Sequence, residues 1–351
     1  MCAKSQMYVL LEVGAPLSLV DAELDRVGDY DCLVDVLYTS VCGTQVGEIR
    51  GTRGPDQFLP HCMGHEGLGI VRSIGNKVSR FLVGDLVYLT WIPCDDSPVT
   101  GKRHRCDTTG DIINSGPVVS FATSVVCSSS RLFKVSTSIF GDDIPYAALT
   151  PLGCAYATAY GMVKRTGQLS EVEKSDSVAV VGTGGVGLAT AIFLGLAGVK
   201  SIAIYELDQV RKGTALRLLD EISGCEGVDG NLVDDANLYA RVFECSGTVS
   251  GAELSYRLTR NSGVCILSGN LPFGAKVSID PFDILLGKQI VGAGVGNSIP
   301  KDDFPEIEQI IASNLHLFES LVTTGYEFKD INDAIFDFEF NSVQRPVIRC
   351  A

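Results

Sequence analysis

The sequence predicts an α/β protein in which a doubly wound parallel sheet interrupts a strand-rich unit. Three observations lead there. Ser177 to Glu206 reads as strand, glycine turn, helix, strand and acid. From Ser177 to about Gly296, apolar runs of strand and helix character alternate, as in a parallel sheet covered by helices. The segments on either side are rich in short strands and turn residues. The parallel-sheet unit is assigned residues 156–295, and the strand-rich unit 1–155 together with 296–351. A chain of 351 residues is long enough for two cores.

Taken in order, Met7 to Glu12, Leu17 to Asp21 and Cys32 to Tyr38 are expected as strands, separated by Gly14-Ala15-Pro16 and Val27-Gly28-Asp29. Thr39 to Gly69 is rich in glycine, cysteine and histidine. Strands are expected at Gly69 to Ile74, Asp85 to Thr90, Val118 to Cys127 and Arg131 to Val135. Pro93 to Ser115 is polar and lacks apolar periodicity, so it is expected as a loop. Small residues between 143 and 163, such as Ala147, Ala155 and Ala159, suggest closely packed helices. Val242 to Gly247 and Gly263 to Gly269 read as later strands of the parallel sheet. A helix over Phe304 to Asn314, a shorter one over Ile331 to Phe338 and a strand over Arg345 to Cys350 complete the chain.

The glycine turn carries the clearest chemistry. In Gly182-Thr183-Gly184-Gly185-Val186-Gly187, Gly182 permits the tight turn. Gly184 lets a pyrophosphate approach the backbone, and Gly187 lets helix and strand pack closely. The helix N-terminus offers N–H groups and partial positive charge to phosphates. Glu206 ends the second strand, where its carboxylate accepts hydrogen bonds from ribose hydroxyls and opposes a 2′-phosphate. NAD(H) is therefore expected in preference to NADP(H). A cleft between the two units is where substrate would meet this cofactor.

Hydrophobic residues make up 46% and charged residues 20%, as in ordinary globular proteins. The net charge of −14 argues against nucleic acid and anionic membranes as partners. Twelve scattered cysteines form no dense disulfide framework, and no signal peptide or bilayer-spanning run is legible. A cytoplasmic protein is expected, acting on a small molecule as a homodimer or homotetramer.

Cys42, His65 and Cys154 lie far apart, and each also reads as an ordinary buried residue. Together they would offer two thiolates and an imidazole and leave a fourth tetrahedral position open, as in catalytic zinc sites. Here the sequence resembles the zinc-dependent medium-chain dehydrogenases of the alcohol and polyol type. The resemblance runs nearly end to end. It covers Tyr8 to Leu17, Val41-Cys42-Gly43-Thr44, Gly64-His65-Glu66-Gly67, Gly84 to Val87, Leu152 to Gly161 and the glycine turn.

The resemblance implies a GroES-like catalytic domain beside a Rossmann cofactor domain. It also implies one catalytic Zn²⁺ on Cys42, His65 and Cys154, and interconversion of a primary or secondary alcohol, of polyol, sugar or cyclitol type, with its carbonyl. Thr44 matches the hydroxyl that begins proton removal, and Glu66 the acid behind the metal. Trp91 falls on the substrate pocket, Arg345 near a pyrophosphate-binding arginine and Arg211 beside the adenosine ribose. Zinc-free quinone or enoyl reductases share this scaffold but typically lack such ligands. A non-catalytic cofactor-fold protein would have little use for them.

Three departures stand out. Gln45 replaces the usual aspartate near the metal-bound histidine. Gly47 stands where many members place a relay histidine. Its missing side chain suggests a water route for the proton, with Glu48 beside the vacancy, unless it turns into solvent, and His61 as the other candidates. Finally, the four-cysteine structural lobe of the family it resembles is absent. Cys94 and Cys106, even with His104, do not make a closed site, so no structural zinc is expected.

Overall fold

The computed structural model describes residues 3–167, 178–230, 236–340 and 343–351. The chain divides into two compact units, Met1–Cys154 with Ile299–Ala351, and Ala155–Ser298.

The first unit begins with β1 (Lys4–Leu10), β2 (Ser18–Glu23) and β3 (Asp31–Ser40), followed by helix α1 (Gly43–Ile49). Then come β4 (His61–Cys62), β5 (Gly67–Ile74), β6 (Leu86–Leu89), β7 (Lys102–Cys106), β8 (Ile112–Ser115), β9 (Ser124–Ser128) and β10 (Leu132–Lys134). Strands β1-β2-β7-β8-β4 close into a barrel. Alternate residues of these strands fill it, Met7, Val9, Ala22, Cys62 and Ile113 among them, and the same core continues into Val34, Val71, Val87 and Val125.

One local expectation is corrected here. The polar stretch expected as a loop contains the β7–β8 hairpin, with Lys102 paired to Ser115 and Arg105 to Ile112. Its buried side is Lys102, His104 and Cys106, so burial alternates while hydrophobicity does not. The glycine-bearing stretch after Cys42 forms α1, whose buried residues are Gln45 and Ile49.

The second unit starts with α4 (Ala155–Gly161), after two short helices, α2 (Thr137–Phe140) and α3 (Tyr146–Leu149), have closed the first segment. It continues through β11 (Val178–Val181), α5 (Gly185–Leu196), β12 (Ser201–Tyr205), α6 (Gln209–Asp220), β13 (Glu226–Asp229) and β14 (Tyr239–Glu244). It ends with α7 (Val249–Leu258), β15 (Thr259–Leu267), α8 (Pro281–Leu285) and β16 (Gln289–Gly292). Ser177, expected to open β11, lies outside the described residues. The sheet order is β13-β12-β11-β14-β15-β16, with every neighbouring pair parallel. The order reverses beside β11, the switch point at which such sheets place ligands.

The chain returns to the first unit with α9 (Pro300–Ser313), α10 (Leu315–Glu319), β17 (Val322–Glu327), α11 (Ile331–Phe340) and β18 (Arg345–Arg349). Strand β18 pairs antiparallel with β3, Val347 opposite Ser40, and completes a seven-stranded sheet. No helix of the described residues is long and apolar enough to cross a membrane.

Candidate metal centre and cofactor turn

Three separate stretches of the first unit converge at the end of β3. Cys42 caps the start of α1, and His65 lies between β4 and β5. Cys154 follows the 3-10 turn Thr150–Gly153. Their ligand atoms all lie within 4.8 Å of one another, and this is the group so placed among the described residues. Cys42 is 6% exposed and His65 9%. The Cys154 contact holds the Cys42 thiol well below its usual range, while Cys42 in turn holds Cys154 well above it. Burial opposes charge on His65, but Cys42 and Glu66 together outweigh it and raise the ring's affinity for a proton.

The donors fit a cation. His65 Nδ1 is 2.7 Å from Gln45 Nε2. The other nitrogen, Nε2, is buried with no hydrogen-bond partner among the described residues. A buried, orphaned nitrogen beside two cysteine sulfurs is a donor set for a thiophilic cation such as Zn²⁺. Thr44 places its hydroxyl 3.8 Å from Cys42 Sγ.

Glu66 and Arg345 lie behind this group. Glu66 is fully buried and Arg345 is 2% exposed. Arg345 Nη2 donates to Glu66 Oε1, which also accepts from Ser40 Oγ at 2.5 Å. Burial raises the Glu66 carboxyl, and Arg345 pulls it back down. Strand β18 delivers the guanidinium, with the Val41 N–H donating to Pro346 O at 3.0 Å. The arginine expected at a pyrophosphate is therefore held by a carboxylate in the first unit.

His65, Gln45 and Trp91 line a cavity of about 670 Å³. Trp91 is 42% exposed, with its ring centre 6.1 Å from that of His65. Glu48, Arg53, Asp56 and His61 also face this cavity, as do Asn114 and Ser115 of the β8 hairpin arm. Glu48 therefore stays a candidate and does not turn wholly into solvent. It is half-buried, and burial raises its carboxyl against the pull of His65, His61 and Arg53. His61 Nε2 meets Asp56 Oδ2 at 2.8 Å. The room expected at Gly47 is also taken, since a Cβ there would meet Thr52 Oγ1 at 3.0 Å and the Arg53 stem at 3.3 Å. Sequence reasoning missed Arg53, Asp56 and the hairpin wall. The hairpin's only signal was its alternating burial, which its polar residues conceal.

In the second unit, the glycine turn joins β11 to α5. Gly182 has φ of +83°, a left-handed conformation that suits glycine. A Cβ at Gly187 would lie 1.8 Å from Gly182 O, so helix and turn pack only without it. A Cβ at Gly184 would meet nothing within 4 Å, leaving its face open to a ligand. Thr183 donates from its N–H (2.7 Å) and hydroxyl (3.1 Å) to Glu206 Oε2, and the Asp208 N–H donates to Oε1 at 3.0 Å. Glu206 is thereby fixed beside the turn. Gly185 and Val186 open α5, and Arg211 lies in the first turn of α6, which Asp208 caps. Turn, acid and basic helix start are thus neighbours, with Val181 in register with Tyr205.

The alcohol dehydrogenase GroES-like domain family matches residues 28–137. Over 93% of its length the chain is 28% identical to alcohol dehydrogenase-like 2 of Arabidopsis thaliana, covering 91% of that protein. It is 25% identical to the S-(hydroxymethyl)glutathione dehydrogenase of Paracoccus denitrificans, across 94% of this chain and 95% of that one. In fold it resembles an alcohol dehydrogenase zinc-binding domain protein of Burkholderia ambifaria, with a TM-score of 0.85 at 23% identity and full coverage of both chains. The benzyl alcohol dehydrogenase of Acinetobacter calcoaceticus is similar, with a TM-score of 0.82 at 23% identity, covering 99% of this chain and 100% of that one.

Proposed function

We propose that the chain is a medium-chain dehydrogenase/reductase and, within that family, a zinc-dependent, NAD(H)-linked alcohol dehydrogenase. The observation that carries this reading is the convergence of Cys42, His65 and Cys154 within 4.8 Å, with His65 on the wall of a cavity of about 670 Å³. These three residues would hold the cation. Bound there, Zn²⁺ supplies the Lewis acidity that polarises a carbonyl and favours the deprotonated alcohol. NAD(H), seated on Gly182 to Gly187, supplies the hydride acceptor or donor.

The chain's own residues do the rest. The Thr44 hydroxyl, beside Cys42, accepts the alcohol proton and passes it on. Glu66 and Arg345 set the charge behind the centre. Trp91 forms an aromatic wall of the substrate cavity. Glu206 receives the ribose hydroxyls and disfavours a 2′-phosphate, with Arg211 beside the adenosine. Glu48 and the His61–Asp56 pair line the cavity and offer the proton a way out. A cavity of this size, with Asn114, Ser115 and Glu48 in its wall, suits a polyol- or sugar-like alcohol. Strand β16 at the sheet edge, next to α8 with its exposed Phe282 and Leu285, supports self-association.

Metal content measured together with nicotinamide turnover over a panel of alcohols tests the reading. One zinc per chain is expected, with turnover favouring NAD⁺ over NADP⁺. Cys42→Ala and Cys154→Ala should each lose metal and turnover together. Full turnover by a chain shown to hold no metal would refute it.

A further inference from the structure

Gln45 is wholly buried, at 1% exposure, and both ends of its carboxamide are used. Oε1 accepts from the Cys42 N–H at 2.7 Å, and Nε2 stands 2.7 Å from His65 Nδ1. The orientation of this amide is dictated by chemistry. A backbone N–H is a donor only, so the atom facing Cys42 is the oxygen. The amide nitrogen, also a donor only, therefore faces His65, and Nδ1 must accept. In a neutral imidazole the proton then sits on Nε2.

Nδ1 is engaged by Gln45, so Nε2 is the nitrogen left for a cation. To coordinate, it must be the unprotonated one, and Nδ1 must carry the proton and donate it. A carboxylate at position 45 would satisfy both neighbours, accepting from the Cys42 N–H with one oxygen and from Nδ1–H with the other. A carboxamide satisfies only one of them at a time.

We infer that Gln45 is a positioning residue that locks His65 in the Nε2–H tautomer, and that loading the centre turns the Gln45 amide over. Turning it presents Oε1 to Nδ1–H and sets the amide nitrogen against the Cys42 N–H. The cap that Gln45 places on the first turn of α1 is then lost. The consequence is a centre that binds its cation more weakly than one with a carboxylate at position 45. This rests on the proposed reading of the group as a metal site.

The test uses the full chain with ¹⁵N-labelled histidine. Zinc affinity is measured by competition with a chromophoric chelator for wild type, Gln45→Glu and Gln45→Asp. At least one carboxylate variant should bind about tenfold or more tightly, the scale of outer-shell effects on metal affinity. Ring ¹⁵N shifts of wild-type His65, followed as chelator withdraws the metal, should pass from the Nδ1–H to the Nε2–H tautomer. That readout stands even if both variants fail to fold. An Nδ1–H tautomer in the metal-free chain would overturn the inference, as would carboxylate variants that fold but bind zinc no more tightly. A wild-type chain that binds no zinc would overturn the metal reading and the coupling with it, while the ring shifts would still judge the lock.

Discussion

The Glu66–Arg345 pair is the most consequential contact that a single substitution can break. Both groups are buried, so each has given up its water for the other. Arg345→Met would leave a carboxylate in a dry site beside two cysteine sulfurs. We predict that it lowers stability by about 3–5 kcal/mol. The double variant Glu66→Gln with Arg345→Met removes both charges and should lie closer to wild type. Denaturant midpoints of the two proteins decide it; a single variant as stable as wild type would show that the pair is not needed. The sequence marked Glu66 and Arg345 separately, through a histidine motif and a C-terminal position. It could not show them paired, because the two meet only when β18 docks on β3. Gln45 was likewise legible as a departure, but its role depends on two distances that no spacing reveals.

At the scale of elements, the β7–β8 hairpin shows why part of the fold escaped reading. Strand signals rest on apolar alternation, and here the alternate buried positions are Lys102, His104 and Cys106. Lys102 Nζ reaches Asp31 Oδ2 at 2.7 Å, and the pair is nearly dry. His104 takes the Asp25 N–H on Nδ1 at 3.1 Å and meets Ser115 Oγ with Nε2 at 3.2 Å. By contrast, β11, α5 and β12 were legible because their burial and their hydrophobicity coincide. The hairpin has a testable weakness. Burial lowers the His104 pKa to about 4, with Lys102 adding to the effect and Asp25 opposing it. The unfolded chain binds a proton on this ring below its ordinary 6.5, while the folded one resists until about 4. The stabilisation is therefore full above that ordinary value and is lost as pH falls through the window. The loss should be on the order of 3 kcal/mol by the lower end. His104→Gln should flatten this part of the stability profile between neutral pH and pH 4.5. An unchanged slope would mean that the ring titrates as it does in water.

At the scale of the whole molecule, the first unit is built from two segments separated by 144 residues of another unit, Ala155–Ser298. Cys42, His65 and Cys154 all belong to its first segment, and Cys154 is the last residue of that segment. Arg345, from the second segment, is held by the carboxylate next to His65. Glycine-flanked motifs made the three candidate ligands legible, whereas the convergence itself is a property of the barrel and sheet. A cation held by these three residues would bind the folded chain and not the unfolded one, so it would add stability by mass action. At a free concentration one hundred times its dissociation constant the gain is about 2.7 kcal/mol. The thermal midpoint should therefore rise with free zinc and fall when a chelator is added. Replacing Cys154 by alanine should abolish that dependence, because two donors do not make the site. Loss of turnover alone could reflect a misplaced substrate, whereas a midpoint that tracks free zinc reports binding to the fold directly. If chelation left the midpoint of the wild-type chain unchanged while turnover persisted, the three residues would be packing the core rather than holding a metal.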